Sequence, residues 1–188
     1  MTLITLKGLG EMPKTGLKND RKKNIFPDWE YIGDDKVRYV LGKPGKNNLL
    51  VIGVNPSTAT PAQVDNTISK IIKISMANGY DGWIMVNLYP QRSTDPNGMI
   101  FYPQLVKNNI EQIKAVCEKF MIKKVWCAWG DLIDIFGKQS FLHDSCKEIK
   151  TLLKNLNVTL YYYDTLTKKG NPRHPSRVPY CRKFHIFQ

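Results

Sequence analysis

No acidic residue follows Asp164, and the 188-residue chain carries only 16 Asp and Glu against 28 Lys and Arg, a formal charge of +12. Such an imbalance bears on partners rather than on fold, and a polyanion is the fitting counterpart. Lys168, Lys169, Arg173, Arg177, Arg182 and Lys183 all fall in the acid-free stretch, which suits phosphate contacts. Cysteine is sparse: Cys117, Cys127, Cys146 and Cys181 form no CxxC pair. With His143, His174 and His185 they show no metal or cluster spacing, so the thiols read as reduced and neither metal nor cofactor is expected. No apolar run approaches the roughly 18 to 20 residues that span a bilayer. The start, MTLITLKGLGEMPK, is too polar for a signal segment, which gives a cytoplasmic expectation with no membrane partner. GxSxG, HExxH and a GxGxxG following a strand are also missing, which removes the ordinary hydrolase, metalloprotease and dinucleotide readings. GKPGKNN, residues 42–48, lacks P-loop spacing and precedes a strand instead of following one.

What is present is a regular alternation. Residues 1–48 read as a polar, turn-rich N-terminal elaboration packed on the core, with a basic knot at Arg21, Lys22 and Lys23 and a strand at Val37 to Leu41. From Leu49 onward, residues 49–188 read as an α/β domain. The run LLVIGV, then GWIMVN, KVWCAW and VTLYYY, are buried strands. Between them Ile68, Ile71, Ile72, Ser75 and Met76 mark a helix capped by Asp65 or Asn66 and ended by Asn78-Gly79. Ile110, Ile113, Val116, Cys117 and Phe120 mark a second helix, and 145–156 a third. This βαβ series predicts a three-layer α/β/α sandwich around a four-stranded parallel sheet, one structural domain overall. A monomer is slightly favoured over an oligomer.

The polar, chemically rich segments follow the strands: NPSTATPAQVD, NLYPQRSTDP, WGD and DTLTKKGNPRHPSRVP. Ligands bind beyond the carboxyl ends of parallel strands, so these four loops are expected to gather at one edge of the sheet. In the first, Asn55 offers an amide, held by Pro56 and followed by Ser57, that orients a water or a polar ligand group; a plain Asn-Pro turn is the alternative. In the last, His174 lies between Arg173 and Pro175, with Ser176 beyond, an unusual place for a core histidine and a natural one for a donor. Arg92 and Arg173 can pair a phosphate or carboxylate, while Tyr89 and Trp129 offer flat faces for a base, unless Trp129 is core. Asn87 and Gly130 close the second and third strands' ends. Asp65 and Asp131 also read as helix caps, and Asp95 as a turn residue.

The succession NPSTA, DNT at a helix start, NGYDGWIMVNLYPQRSTDP, KNN, VWCAWGD and LTKKGNPRHPS resembles the domain of unknown function DUF1643, over roughly Tyr39 to Pro179. More distantly, VIGVNPS is similar to the GINPG loop of the mismatch-specific branch of the uracil-DNA glycosylase superfamily, and RHPSR to its HPS motif. This second resemblance implies a uracil-DNA glycosylase-like fold and cleavage of an N-glycosidic bond. Asn55 would position water and His174 would donate to the departing base, with Pro175 and Ser176 completing the loop. Pro56, Ser57, Asp65, Asn87, Tyr89, Arg92, Trp129, Gly130 and Arg173 would contact substrate, and Lys168, Lys169 and Arg177 phosphates. Asn cannot serve as a general base, which leaves Asp65 or Asp95 for that role. Ser57 stands where the superfamily has a glycine, so uracil itself is not implied. The expectation is a DNA glycosylase-like hydrolase acting on a modified or mismatched base. The alternatives are a non-catalytic nucleic-acid-binding module of the same fold and an enzyme or binder of a free nucleotide or nucleoside.

Overall fold

The computed structural model describes residues 27–138 and 140–188, which leaves the basic knot at Arg21, Lys22 and Lys23 outside the described residues. Apolar runs with no charge to hydrate form the centre. Strand β3 (Asn48–Gly53) buries all but its first residue, and β4 (Gly82–Asn87) buries every residue. β5 (Lys124–Cys127) and β6 (Thr159–Tyr163) continue the series. The neighbours β4-β3-β5-β6 run parallel, with Gly53 opposite Asn87 and Ile52 opposite Cys127.

The sheet is larger and mixed, which corrects the expected four-stranded, wholly parallel one. Its order is β1-β2-β4-β3-β5-β6-β7, with antiparallel strands on both edges. β1 (Glu30–Gly33) and β2 (Arg38–Lys43) form a hairpin whose turn is fixed by Asp34, the carboxylate of which accepts from the N–H groups of Lys36 and Val37 at 2.8 Å each. β2 then pairs with β4, Leu41 opposite Met85, which sets the strand expected at Val37 to Leu41 into the sheet. β7 (Phe184–Ile186) gave no sequence signal. Three residues preceded by Arg182 and Lys183 are too few for an alternation to register.

Alternate strand residues face two helical layers. Leu49, Val51, Met85, Trp126 and Ala128 pack with helix α1 (Asn66–Ala77). Leu50, Ile52, Ile84, Val125 and Cys127 pack with α2 (Pro103–Lys119) and α3 (Phe141–Asn155). In α1 the Asp65 carboxylate accepts from the Ile68 N–H at 2.8 Å, a cap that contributes about 1 kcal/mol. Met76, read as part of the buried stripe, is 69% exposed: Ile74 is buried, which turns the stripe at 100° per residue away from Met76. α3 starts at Phe141, four residues before its expected start, and Ser140 makes no side-chain cap that would have signalled it. Cys117, Cys127 and Cys146 are buried, whereas Cys181 is exposed. The Tyr163 hydroxyl donates to the Tyr180 carbonyl at 2.6 Å and accepts from the Arg182 N–H at 2.9 Å, tying that segment to the end of β6. No helix of the described residues is long and apolar enough to cross a membrane.

Candidate functional site

The chain leaves β3 and finds β4 on one side and β5 on the other, so the carboxyl ends of β3 and β5 flank the point where a parallel sheet opens a crevice. The four loops meet there in two interlocked pairs. Between the β3 and β4 loops, Asn55 donates through Nδ2 to the Pro56 carbonyl (3.1 Å) and the Ser93 carbonyl (2.9 Å). Arg92 donates to the carbonyls of Ser57 (2.6 Å), Ala59 (3.3 and 3.4 Å) and Asp34 (2.9 Å), and to the Tyr31 hydroxyl (2.9 Å). Between the β5 and β6 loops, the Gly130 N–H donates to the Pro172 carbonyl at 2.8 Å. Asp131 accepts from the Thr167 hydroxyl (2.6 Å) and the Asn171 amide (2.9 Å). Asp65, at the start of α1, joins the pairs electrostatically, since its charge acts on both Arg38 and His174.

His174 is half-buried at the start of a short 3-10 turn, Pro175–Arg177. Its Nδ1 accepts from the Ser176 N–H at 3.3 Å and lies 2.8 Å from the Ser176 hydroxyl. An accepting Nδ1 places the proton of the neutral ring on Nε2, which becomes the outward donor. Burial holds the imidazole below its ordinary pKa; Asp65 opposes this and Arg177 adds to it. Gly130 has φ of 63°, and a Cβ there would stand 3.2 Å from the His174 Cβ, so a glycine is what permits this approach.

A histidine whose pKa falls on folding binds protons more readily in the unfolded chain. Its contribution to stability is therefore present above the unfolded value near about 6.5 and is lost as pH falls through that value toward the lower folded one. Thermal melts of wild type and His174→Gln should diverge across that window, wild type losing more on acidification. Equal slopes would remove the depressed imidazole from the account. At neutral pH, Asn55→Ala should cost about 1 kcal/mol through its two carbonyl contacts, a loss that denaturant melts can read.

Two further groups belong to the same edge. Asn87, at the end of β4, is fully buried and neither amide atom has a hydrogen-bond partner among the described residues. It lies over Gly53, where a Cβ would come within 2.9 Å of its Oδ1 and 2.7 Å of the Met85 methyl. Arg38, which the sequence reading left as an ordinary strand residue, is 2% exposed, reaching the Ala59 carbonyl at 3.0 Å and the Met85 sulfur at 3.9 Å. A charged side chain in a strand reads as solvent-facing unless its neighbours' packing is known. The available signal was its place beside Tyr39 and Val40 in a run that is otherwise apolar.

The expected base platforms need correction. Tyr89 is fully buried: its hydroxyl donates to the Ile100 carbonyl and accepts from the Tyr102 N–H, both at 2.8 Å, and its ring meets Phe141 edge-on. Trp129 is 2% exposed against Phe187. Neither offers a face to a ligand. Asp95 caps a turn through the Asn97 N–H (3.0 Å), while Asp65 has one carboxylate oxygen engaged in its cap. Pro56 and Pro175 are buried, Ser57 is half-buried and Ser176 is exposed. Arg173 donates through Nε to the Thr165 hydroxyl at 3.0 Å. Lys168, Lys169 and Arg177 are exposed, with Lys169 3.9 Å from Asp134. Beyond them the sequence reading missed Lys70 and Lys73 of α1, whose ammonium groups lie 5.1 and 5.5 Å from the centre of the exposed Tyr180 ring.

A family model described as a protein of unknown function, DUF1643, matches residues 38–176, from Arg38 to Ser176. No curated protein and no solved structure matches the chain.

Proposed function

The chain belongs to the DUF1643 family, and from that premise we propose that it hydrolyses the N-glycosidic bond of a modified or mismatched base in DNA. The observation that carries the reading is Asn87, a fully buried amide with donor and acceptor both unpaired at the carboxyl end of a parallel strand. Buried polar atoms are almost always paired, and an unpaired amide here complements the lactam edge of a base, one N–H beside one carbonyl, which reaches it once the covering loops part.

The chemistry asks for little else. The C1′–N bond breaks with its electron pair leaving on the base, positive charge gathers on the sugar, and a water oxygen forms the new bond to C1′. His174 donates from Nε2 to the base as negative charge develops there. Asn55 has spent its N–H groups on carbonyls, which leaves Oδ1 to accept a hydrogen from the attacking water and so to hold it. The water's proton passes to the free oxygen of Asp65; Asp95, occupied in its turn, is the poorer candidate. The loop that carries His174 packs beside α1, which has no acidic residue in its first turn, and Lys70, Lys73, Tyr180 and Arg177 supply a basic, partly aromatic surface for a strand.

The test is a panel of oligonucleotides, single- and double-stranded, carrying uracil, hypoxanthine, alkylated bases and modified pyrimidines, incubated with the protein, treated with alkali and resolved by gel. Strand cleavage that depends on one class of base supports the proposal. Silence across the panel with tight strand binding would replace it by the binding-module reading, which the same basic surface favours.

A further inference from the structure

Arg38 and Arg92 hold positive charge together, and among the described residues no carboxylate pairs with either. Both guanidinium groups donate to one carbonyl, that of Ala59, at 3.0 Å from Arg38 and 3.3 and 3.4 Å from Arg92. Arg38 is 2% exposed and its Nε has no partner among the described residues. Burial first, then the Arg92 charge, brings its pKa down to about 10, with Asp65 giving partial support. A buried guanidinium is normally matched by an anion, because its desolvation is otherwise uncompensated.

Arg92 also lines a cavity of about 600 Å³. Ser57, Thr58, Thr60, Ser93, Thr94 and Arg92 line it, with Asp34 and Asp35 on its wall as well. The hydroxyls of Ser57 and Thr58 make no hydrogen bond among the described residues, while the Asp34 carboxylate is already held by two backbone N–H groups. A lining of hydroxyl donors and Arg92, which shares the Ala59 carbonyl with the buried Arg38, is the chemistry that holds a tetrahedral oxyanion.

We infer that Arg38, Arg92, Ser57 and Thr58 form a phosphate subsite, in which a phosphoryl oxygen takes the place of the Ala59 carbonyl before the two guanidinium groups. The phosphate comes either from the strand beside the target base or from a free nucleotide. The subsite deepens the glycosidase reading by adding a phosphate requirement to its substrate, but it is read by binding alone, so failed cleavage with retained phosphate binding leaves it standing.

The first probe is inorganic phosphate. Wild type should melt higher in phosphate than in chloride of equal ionic strength, saturably, and Arg38→Met should lose the saturable part while keeping the general salting effect of phosphate. In chloride Arg38→Met should melt no lower than wild type, because Ala59 keeps its Arg92 donors and an uncompensated charge is gone. Ser57→Ala with Thr58→Ala removes two unpartnered hydroxyls without touching the fold and should weaken phosphate by about tenfold. Competition identifies the source. Nucleoside 5′-monophosphates displacing phosphate at least about tenfold better than nucleosides indicate a free nucleotide, and displacement by an oligonucleotide indicates a strand. Equal phosphate response in wild type and both variants, or displacement by neither competitor, overturns the subsite.

Discussion

His174→Ala and Asn55→Ala should each lower the single-turnover rate of base release by about 10²-fold or more, some 3 kcal/mol of transition-state stabilisation apiece. The two losses arise differently. Without the Nε2 donor the departing base leaves with its charge unmet, so the defect in His174→Ala should shrink for bases that are better leaving groups. Without the Asn55 acceptor the water is free, and the defect should be indifferent to the base. Asp65→Asn separates base from cap: asparagine caps a helix as well as aspartate does, so the melt should hold while the rate falls. Asn87→Leu adds a control on recognition. It removes a buried amide that has no partner, so stability should be kept or improved as base binding is lost. A double variant of Asn55 and His174 that cleaves at the wild-type rate would overturn the assignment of these groups.

Binding to DNA should weaken steeply with salt, and replacing Lys168, Lys169, Arg173 and Arg177 by Ala should flatten the slope of log K against log salt by up to about 0.9 for each duplex phosphate given up. The structure ranks the four. Lys168 and Arg177 are exposed with no anionic partner among the described residues, whereas Lys169 faces Asp134 at 3.9 Å and Arg173 is partly engaged by Thr165. Single variants should therefore change the slope most for Lys168 and Arg177. Lys70→Ala and Lys73→Ala, on the helix beside them, should add to the effect. An unchanged slope in the combined variant would move the nucleic-acid surface elsewhere.

The parallel centre was legible because a strand buried on both faces writes itself as an unbroken apolar run; GWIMVN was read to its observed ends. Short antiparallel edges carry no such mark. β1 and β7 have four and three residues, half-exposed and mixed in character, and only pairing across the sheet defines them. The loops at the strand ends were legible by the same logic as the strands, since polar, irregular segments after buried strands collect at one edge. What a loop residue touches was not. Tyr89 and Trp129 look alike in sequence to exposed aromatics, but Trp129 continues the inward alternation of Val125 and Cys127, while Tyr89 breaks the alternation of Ile84, Val86 and Leu88 and follows Leu88 into the same α2 and α3 face. Arg38 is the converse case, a charge in a strand that is buried and reaches the Ala59 carbonyl.

The cysteines lend themselves to an optical assay. Thiol reagents attack the thiolate, and burial pushes Cys117 up to about 12, Cys146 to about 11 and Cys127 well above the ordinary range. Cys181 is the remaining thiol and is exposed, so a maleimide fluorophore should label the unmodified chain at one position. That position is well placed. Its neighbours Tyr180 and Arg182 are tied to the Tyr163 hydroxyl, and Tyr180 lies beside Lys70 and Lys73, so the dye rides on a backbone clamped next to the basic surface rather than on a drifting tail. Quenching or a change in anisotropy on adding an oligonucleotide would report occupancy in real time, from wild-type protein and with no engineered handle.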